Sequence, residues 1–440
     1  MHCCTGASRR TALEAPARTK HLPRKYRTAR SSPQPRPADR DQYTAEFRGD
    51  GMHRDTELQL TASCVELVKA NRPLSGNDEV LIPVDEYTDA DRFMREQRDL
   101  LGRTLIVAAH ASQLAAPGDF LTLDLMDTPV LLTRDSDGKA RAFLNVCRHR
   151  GATVELRPQG NTKRFVCPYH AWTYDTRGTL VTARHAEGFP SLERESTQLR
   201  ELACRERGGF IWVCPRADTA EAALTAFQST AADAFFTELE GLGIGDYTIF
   251  DSEHRIWNAN WKILVDGGLE SYHFRVAHRN TVAPFFADTI TPYAFFGDHI
   301  RTVLPRAGIV DYAQRPRSEW SIRECTHLLY SLFPNASVLV QEGHADLIRM
   351  MPLAIDRTLV DIITLVPSPG AAGFSEKARN YWSANHAFTK KTLHEDFEIA
   401  EQIQRGVNTG ANTHFRFARF EGALSQWHSI VDAKLEAGNT

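Results

Sequence analysis

Cys147-Arg148-His149-Arg150-Gly151 and, with seventeen residues between His149 and Cys167, Cys167-Pro168-Tyr169-His170 decide how this chain is read. Each half offers one thiolate and one imidazole, so four ligands come from two short loops. Two soft thiolates on one iron and two imidazoles on the other describe a [2Fe–2S] centre of raised potential, suited to passing electrons onward. Cys2His2 also describes structural zinc, but zinc sites usually pair cysteine with cysteine in one knuckle and histidine with histidine in the other. Here each knuckle is mixed, and Cys-x-His is tight. Four unliganded core residues are the bland alternative.

Outward from these loops the chain reads as short strands. Phe120–Leu125 alternates as a half-buried strand should. Val130–Thr133 and Ala142–Val146 flank Asp137-Gly138, a hairpin signal. Thr173-Tyr174 and Thr179–Val181 flank a turn ending in Gly178, and Gly209–Val213 is a last strand. Residues 104–215 are thus expected to form a small all-β domain with the Cys/His loops at its tip. Upstream, Asp89–Leu101 reads as a helix. Downstream, strand-like runs at Tyr247–Phe250, Ser337–Val340, Leu347–Met351 and Leu359–Leu365 suggest an antiparallel meander, and a helix is expected from about Ser375 to Arg405.

A second constellation follows Asn260-Trp261-Lys262. Glu270 and His273 stand at i and i+3, which a helix places on one face, and His278 comes five residues later. Two histidines and a carboxylate from elsewhere make a facial triad for Fe(II), with positions left open for O2 chemistry. His254, His327, His344 and His394 read as ordinary satisfied core histidines. Phe285-Phe286, Tyr293, Phe295 and Phe296 would favour a flat or apolar substrate if they sit near the iron, or cage a quaternary ammonium group. Ordinary core is the alternative.

Composition narrows the class. At 440 residues, two or more domains are expected, and 42% hydrophobic with 24% charged residues is ordinary for a globular protein. No run of 18 apolar residues occurs, so no transmembrane helix and no membrane partner are expected. A net charge of -3 offers no reason to expect nucleic acid. Residues 1–51 are rich in Arg, Pro and Ser, and a disordered basic extension is expected there. An acid-poor, Arg-rich start also fits a transit peptide, and Met52 fits an alternative start. The cysteines show no disulfide framework, so cytoplasm is the expected location.

Cys147-x-His149-Arg150-Gly151 with Cys167-Pro168-Tyr169-His170-x-Trp172-x-Tyr174 resembles the Rieske motif of the Rieske non-haem iron oxygenases, in their large (alpha), aromatic-ring-hydroxylating subunit. The resemblance runs from about residue 80 to the C-terminus. Ala171 departs from the usual Gly; if the position needs φ > 0, Ala strains it slightly. Glu270-x-x-His273-x4-His278 after Asn260-Trp261-Lys262 resembles the family's iron motif, with Asp266-Gly267 where Glu-Asn is common. The resemblance implies Cys147, His149, Cys167 and His170 as cluster ligands, His273 and His278 as iron ligands, and Glu270 as a catalytic carboxylate bridging to a neighbouring subunit's His170. The third iron ligand is expected in Glu395-Asp396, before Gln404-Arg405-Gly406. Asp396 is preferred, Glu395 and Glu398 are runners-up, and a solvated acidic helix face is the plain alternative.

The implied fold is α+β: residues 1–51 an extension, 52–103 a helical segment packing on the catalytic domain, 104–215 the Rieske domain, and 216–440 a helix-grip (START-like) catalytic domain with an antiparallel sheet. The implied function is a terminal mono- or dioxygenase, set in aromatic hydrocarbon catabolism, that hydroxylates or oxidatively demethylates a small aromatic or apolar substrate with O2. Electrons are expected from NADH through a separate flavin and iron–sulfur reductase or a ferredoxin, since no G-x-G-x-x-G unit appears here. A homotrimer or multiple of three is implied, and some family members add a small beta subunit. The alternatives are an oxygenase of quaternary ammonium compounds and a Rieske electron carrier without oxygenase activity.

Overall fold

The computed structural model describes residues 52–76 and 78–437, so the expectations for the first 51 residues lie outside it. Around the Cys/His loops, five short strands form one antiparallel sheet in the spatial order Glu201–Leu202, Ala140–Leu144, Thr128–Arg134, Asp119–Leu125, Gln159–Asn161. The expected hairpin is there. Asp135 accepts the backbone N–H groups of Asp137 at 2.8 Å and Lys139 at 2.9 Å, and Gly138 supplies the positive φ. A small second sheet, Arg164–Val166, Thr173–Asp175 and Leu180–Thr182, carries the second Cys/His loop between its first two strands.

The C-terminal portion is built on a seven-stranded antiparallel sheet in the order Tyr247–Trp257, Arg357–Pro367, Ala345–Ala354, Ala336–Val340, Thr326–Leu332, His299–Pro305, Tyr293–Phe296. The helix Glu376–Val407 lies across it, starting where Ser375 caps the N–H of Ala378 at 3.2 Å. This is the expected α+β arrangement of a curved sheet gripping a helix. Three of its strands were not foreseen: Tyr293–Phe296, His299–Pro305 and Thr326–Leu332. His299–Pro305 is buried at every position, polar side chains included, so it shows no alternation. The helix Gly422–Ala437 and the strand His414–Phe417, which pairs with Val80–Pro83, were also unassigned.

The helix expected from Asp89 is present. Asp89 caps Arg92 N–H at 2.6 Å, and the helix widens into a π-helical turn over Glu96–Leu101. That turn brings Glu96 to the helix Trp261–Gly268, where it accepts Lys262 Nζ at 2.6 and 2.7 Å and Trp261 Nε1 at 3.0 Å. All three residues are fully buried, so each needs the others. Asn260 caps the same helix at Lys262 N–H, 3.0 Å. The Asn-Trp-Lys motif is therefore scaffolding for the segment that follows it.

Two candidate metal centres

The two Cys/His loops are built alike. In the first, Gly151 N–H reaches Cys147 C=O at 2.9 Å and Cys147 N–H reaches Ala152 C=O at 2.8 Å. In the second, Ala171 N–H reaches Cys167 C=O at 3.0 Å and Cys167 N–H reaches Trp172 C=O at 2.9 Å. Both turns need a left-handed residue at the same place: Gly151 has φ +79° and Ala171 has φ +59°. The strain expected of Ala171 is thus real.

Their side chains converge. The His149 and His170 rings lie 4.6 Å apart, and His149 stacks on Trp172 at 4.9 Å. Cys147 and Cys167 are 3% and 2% exposed and form no disulfide. Burial, with the Cys147 thiol beside it, pushes the Cys167 thiol up from its ordinary value. Tyr174 Oη accepts from Arg148 N–H at 3.0 Å, leaving its own proton for Cys147 Sγ, 3.4 Å away. His149 Nδ1 is buried with no hydrogen-bond partner among the described residues. A buried orphan nitrogen beside two buried thiols fits a metal cluster, which would take that lone pair.

The second constellation meets at one point. His273 Nε2 lies 3.3 Å and His278 Nε2 2.8 Å from Asp396 Oδ1, and ligand atoms of the three residues all lie within 4.8 Å of one another. Among the described residues His273 Nε2 is buried and makes no well-aligned hydrogen bond, which leaves its lone pair for the shared focus. Two imidazoles and one carboxylate on a single focus suit Fe(II). Burial opposes charge on both rings, but the carboxylates outweigh it: Asp396 and Glu270 push His273 up to about 10, and Asp396 and Glu395 raise His278. A divalent cation at the focus competes for those same sites.

The remaining ring nitrogens are held from behind. His273 Nδ1 bonds Glu270, and His278 Nδ1 bonds Glu395 Oε2 at 2.9 Å, which also accepts Thr281 Oγ1 at 2.6 Å. Glu395 therefore orients a ligand instead of converging on the focus, and Glu398 is exposed on another face of the helix. The long helix is tied to the ligand segment by Gln404, which accepts Asn260 N–H at 2.7 Å, and by Glu401, which accepts Asn258 N–H at 2.9 Å.

One expectation about local structure is corrected. Glu270 and His273 do not share a helix. The helix ends at Gly268, Glu270 lies in the following turn, and only Phe274–Ala277 is helical. The Glu270 carboxylate accepts the backbone N–H groups of Tyr272 and His273, the latter at 3.3 Å, so it caps that short turn.

Beside the focus lies a cavity of about 130 Å³ lined by Phe274, Phe286, Phe388, Phe397, Leu264 and Met350, among others, and, among the described residues, by no lysine or arginine. Of the aromatics expected near the iron, only Phe286 lines it. Phe285 is largely exposed, and Tyr293, Phe295 and Phe296 pack into the hydrophobic cores around the sheet. Phe388 and Phe397 are supplied by the long helix, whose apolar residues gave no sign of facing a cavity. His327 also lines the cavity, and His344 keeps a buried Nε2 without a hydrogen-bond partner among the described residues. The expectation of an ordinary satisfied core histidine is corrected for His344, whereas His327 Nε2 has Arg306 Nη2 at 3.4 Å.

Comparison with known proteins agrees with this geometry. Residues 104–193 match the Rieske [2Fe-2S] domain, and residues 239–437 match the catalytic domain of the ring hydroxylating alpha subunit. The chain is 30% identical over 359 residues to the 2-aminobenzenesulfonate 2,3-dioxygenase subunit alpha of Alcaligenes sp, covering 77% of this chain and 88% of that protein. It is 26% identical over 373 residues to the glycine betaine monooxygenase oxygenase subunit of Chromohalobacter salexigens, covering 75% and 80%. A crystal structure of the quaternary ammonium Rieske monooxygenase CntA with an inhibitor superposes with a TM-score of 0.67 at 22% identity, covering 81% of this chain and 96% of that one. With one constellation inside each matched range, the chain belongs to the Rieske non-haem iron oxygenases and is a large subunit of the ring-hydroxylating type.

Proposed function

We propose that this chain is the terminal oxygenase of a multicomponent system, in which residues 104–215 receive electrons and residues 216–440 carry out oxygenation. Cys147, His149, Cys167 and His170 would hold the cluster, and His273, His278 and Asp396 the mononuclear iron. When bound, the cluster supplies single electrons and the iron activates O2. NADH would provide those electrons through a separate reductase or ferredoxin, as is usual in the family.

The chain's own residues set the rest. Glu395 and Glu270 take the outer N–H of His278 and His273, leaving each Nε2 for the metal. The apolar cavity excludes water and positions the substrate. Its volume is on the scale that takes up one benzene-sized group. The observation that carries the reading is the focus of His273, His278 and Asp396 on the edge of a largely apolar, aromatic-lined cavity. It supports a small substrate with an apolar reacting end. The quaternary ammonium reading has one feature in its favour, four phenylalanine rings close to carboxylates, which can cage a cationic methyl group.

Assembly follows as part of the same proposal. The cluster tip exposes Leu156, Val166 and Tyr169, and the metal-site turn exposes Tyr272 and Val276. Joining these two surfaces head to tail in a closed ring of three would cover both and bring the partner subunit's His170 to Glu270. The test is iron content together with substrate-dependent O2 uptake using a surrogate reductase, on a panel of arenes, arene sulfonates and betaines. About three irons per chain with uptake coupled to product is expected, from two in the cluster and one beyond it. About two irons and no uptake would leave an electron carrier.

A further inference from the structure

Oxygenation consumes protons as well as electrons. Monooxygenation balances as RH + O2 + 2e⁻ + 2H⁺ → ROH + H2O, and cis-dihydroxylation of an arene likewise takes up two electrons and two protons. The reductase supplies the electrons. The protons must enter a cavity that is mostly hydrocarbon.

One row of buried polar side chains reaches that cavity from the protein surface. Asp251, Thr364 and Asp346 are direct cross-strand partners on three adjacent strands, and the next partner of Asp346 is Leu339, which lines the cavity. Three strand steps span roughly 14 Å. The helix Glu376–Val407 lies over this row and adds His386 and Thr389. Thr389 Oγ1 donates to Asp346 Oδ2 at 3.1 Å and itself lines the cavity. Thr364 Oγ1 donates to Asp346 Oδ1 and lies 2.8 Å from His386 Nδ1. Because the Thr364 proton is committed to the carboxylate, His386 must donate through Nδ1. Its Nε2 is then the proton acceptor, and it faces Asp251 Oδ2 at 3.9 Å. Asp251 is half exposed, whereas Asp346, Thr364, His386 and Thr389 are buried.

We propose that Asp251, His386, Thr364, Asp346 and Thr389 form a proton relay from solvent to the oxygenation cavity. A proton taken up at His386 Nε2 releases the Nδ1 proton to Thr364 Oγ1. Thr364 passes its own proton to Asp346 Oδ1. Asp346, neutral once protonated on Oδ1, turns about its Cβ–Cγ bond to present that O–H to Thr389 Oγ1, and the Thr389 hydroxyl, rotated away from the carboxyl group, delivers its own proton into the cavity. From His386 to Thr389 each group gains one proton and loses one; the hydroxyls reset by rotation, and His386 resets by a flip of its ring that returns the protonated nitrogen to Thr364. Gln341 Nε2, at 2.8 Å from Asp346 Oδ2, holds the carboxylate in line and also lines the cavity. The five relay residues act through one another, and only Thr389 reaches the cavity.

The inference rests on the oxygenase reading, so its test has one arm that needs no turnover. In 15N-histidine-labelled protein, neutral His386 should be the Nδ1–H tautomer. An Nε2–H tautomer overturns the relay. In the turnover arm, Thr389→Val should lower kcat roughly a hundredfold, the low end of an acid–base contribution. It should leave iron content unchanged and enlarge the solvent deuterium isotope effect. Thr389→Ser, which keeps the hydroxyl, should restore most of the rate, and Asp346→Asn and His386→Gln should behave like Thr389→Val. Equal rates and isotope effects in Thr389→Val and wild type overturn the proposal. So does equal damage in Thr389→Ser and Thr389→Val, which would mark a purely packing role. If the wild-type chain shows no substrate-dependent O2 uptake, it is the oxygenase reading that fails, and the tautomer still decides the relay's geometry.

Discussion

The proposed cluster loops and the proposed mononuclear site both combine histidine with one other ligand type, yet they are assembled in opposite ways. Each cluster loop closes on itself: its two defining backbone bonds span residues i to i+4 and i to i+5, and the pattern repeats in the second loop. The mononuclear site is closed from far away. His278 meets Glu395 across 117 residues, and Asn260 meets Gln404 across 144. A locally closed site depends on a few turn positions. A site closed at a distance depends on everything that fixes one element against another.

That contrast orders the expected effects. Removing a ligand from the distant site should be absolute but confined: Asp396→Ala should empty the mononuclear iron and abolish product while the cluster spectrum stays normal. Glu270→Gln should differ, keeping iron and failing in single-turnover cluster oxidation. Iron quantitation with rapid-mixing spectroscopy separates the two, and loss of mononuclear iron in Glu270→Gln would make Glu270 a ligand instead.

The next effect tests the anchoring behind that site. Asp266, in the last turn of the Trp261–Gly268 helix, accepts Tyr87 Oη at 2.7 Å, with His428 Nε2 at 3.0 Å; His428 Nδ1 reaches Glu86 at 2.9 Å. Burial opposes charge on His428, but Asp266 and Glu86 outweigh it and raise the ring from 6.5 to about 9. The folded value lies above the unfolded one, so the stabilisation is complete below about pH 6.5 and is lost as pH rises through 9. It amounts to about 3 kcal/mol. Urea unfolding at pH 6.5 and 9.5 should show that loss in the wild type and little of it in His428→Gln. Parallel curves for the two proteins would remove His428 from the account.

Smaller effects remain within reach of the same comparison. Glu395→Ala leaves all three converging residues in place but frees His278 to rotate, so iron affinity should fall roughly tenfold to a hundredfold. Chelator competition measures it, and an unchanged affinity would mean that packing alone orients His278. In the self-closed region, Ala171→Gly relieves a left-handed alanine and should raise stability by about 0.5–1 kcal/mol, less the cost of a more flexible unfolded chain. Thermal unfolding of the cluster domain's signal checks it, and a lowered midpoint would show that the turn is not strained.

Legibility from sequence followed the same division. The knuckles, the Asp137-Gly138 hairpin and the helix beginning at Ser375 were all legible because each is signalled within a few residues. Glu270 was misplaced into a helix because its spacing to His273 is helical, while the glycines before it end the helix at Gly268. His299–Pro305 was invisible because a strand buried on both faces carries no period. Phe285, Tyr293, Phe295 and Phe296 stood close to the ligands in sequence, but the sheet turned most of them into core.

By itself the sequence determined the ligand chemistry. A Cys-x-His loop, a Cys-x-x-His loop and a Glu-x-x-His-x4-His run specify which atoms can bind metal, because ligand type and short spacing are local properties of the chain. Only the tertiary structure decided which carboxylate faces the two histidines, which phenylalanines line the cavity, and that Asp251, Thr364 and Asp346 form a row. Those relations exist only after hydrophobic burial has set a long helix against a sheet, and burial is non-directional, so no short run of residues encodes where it will end.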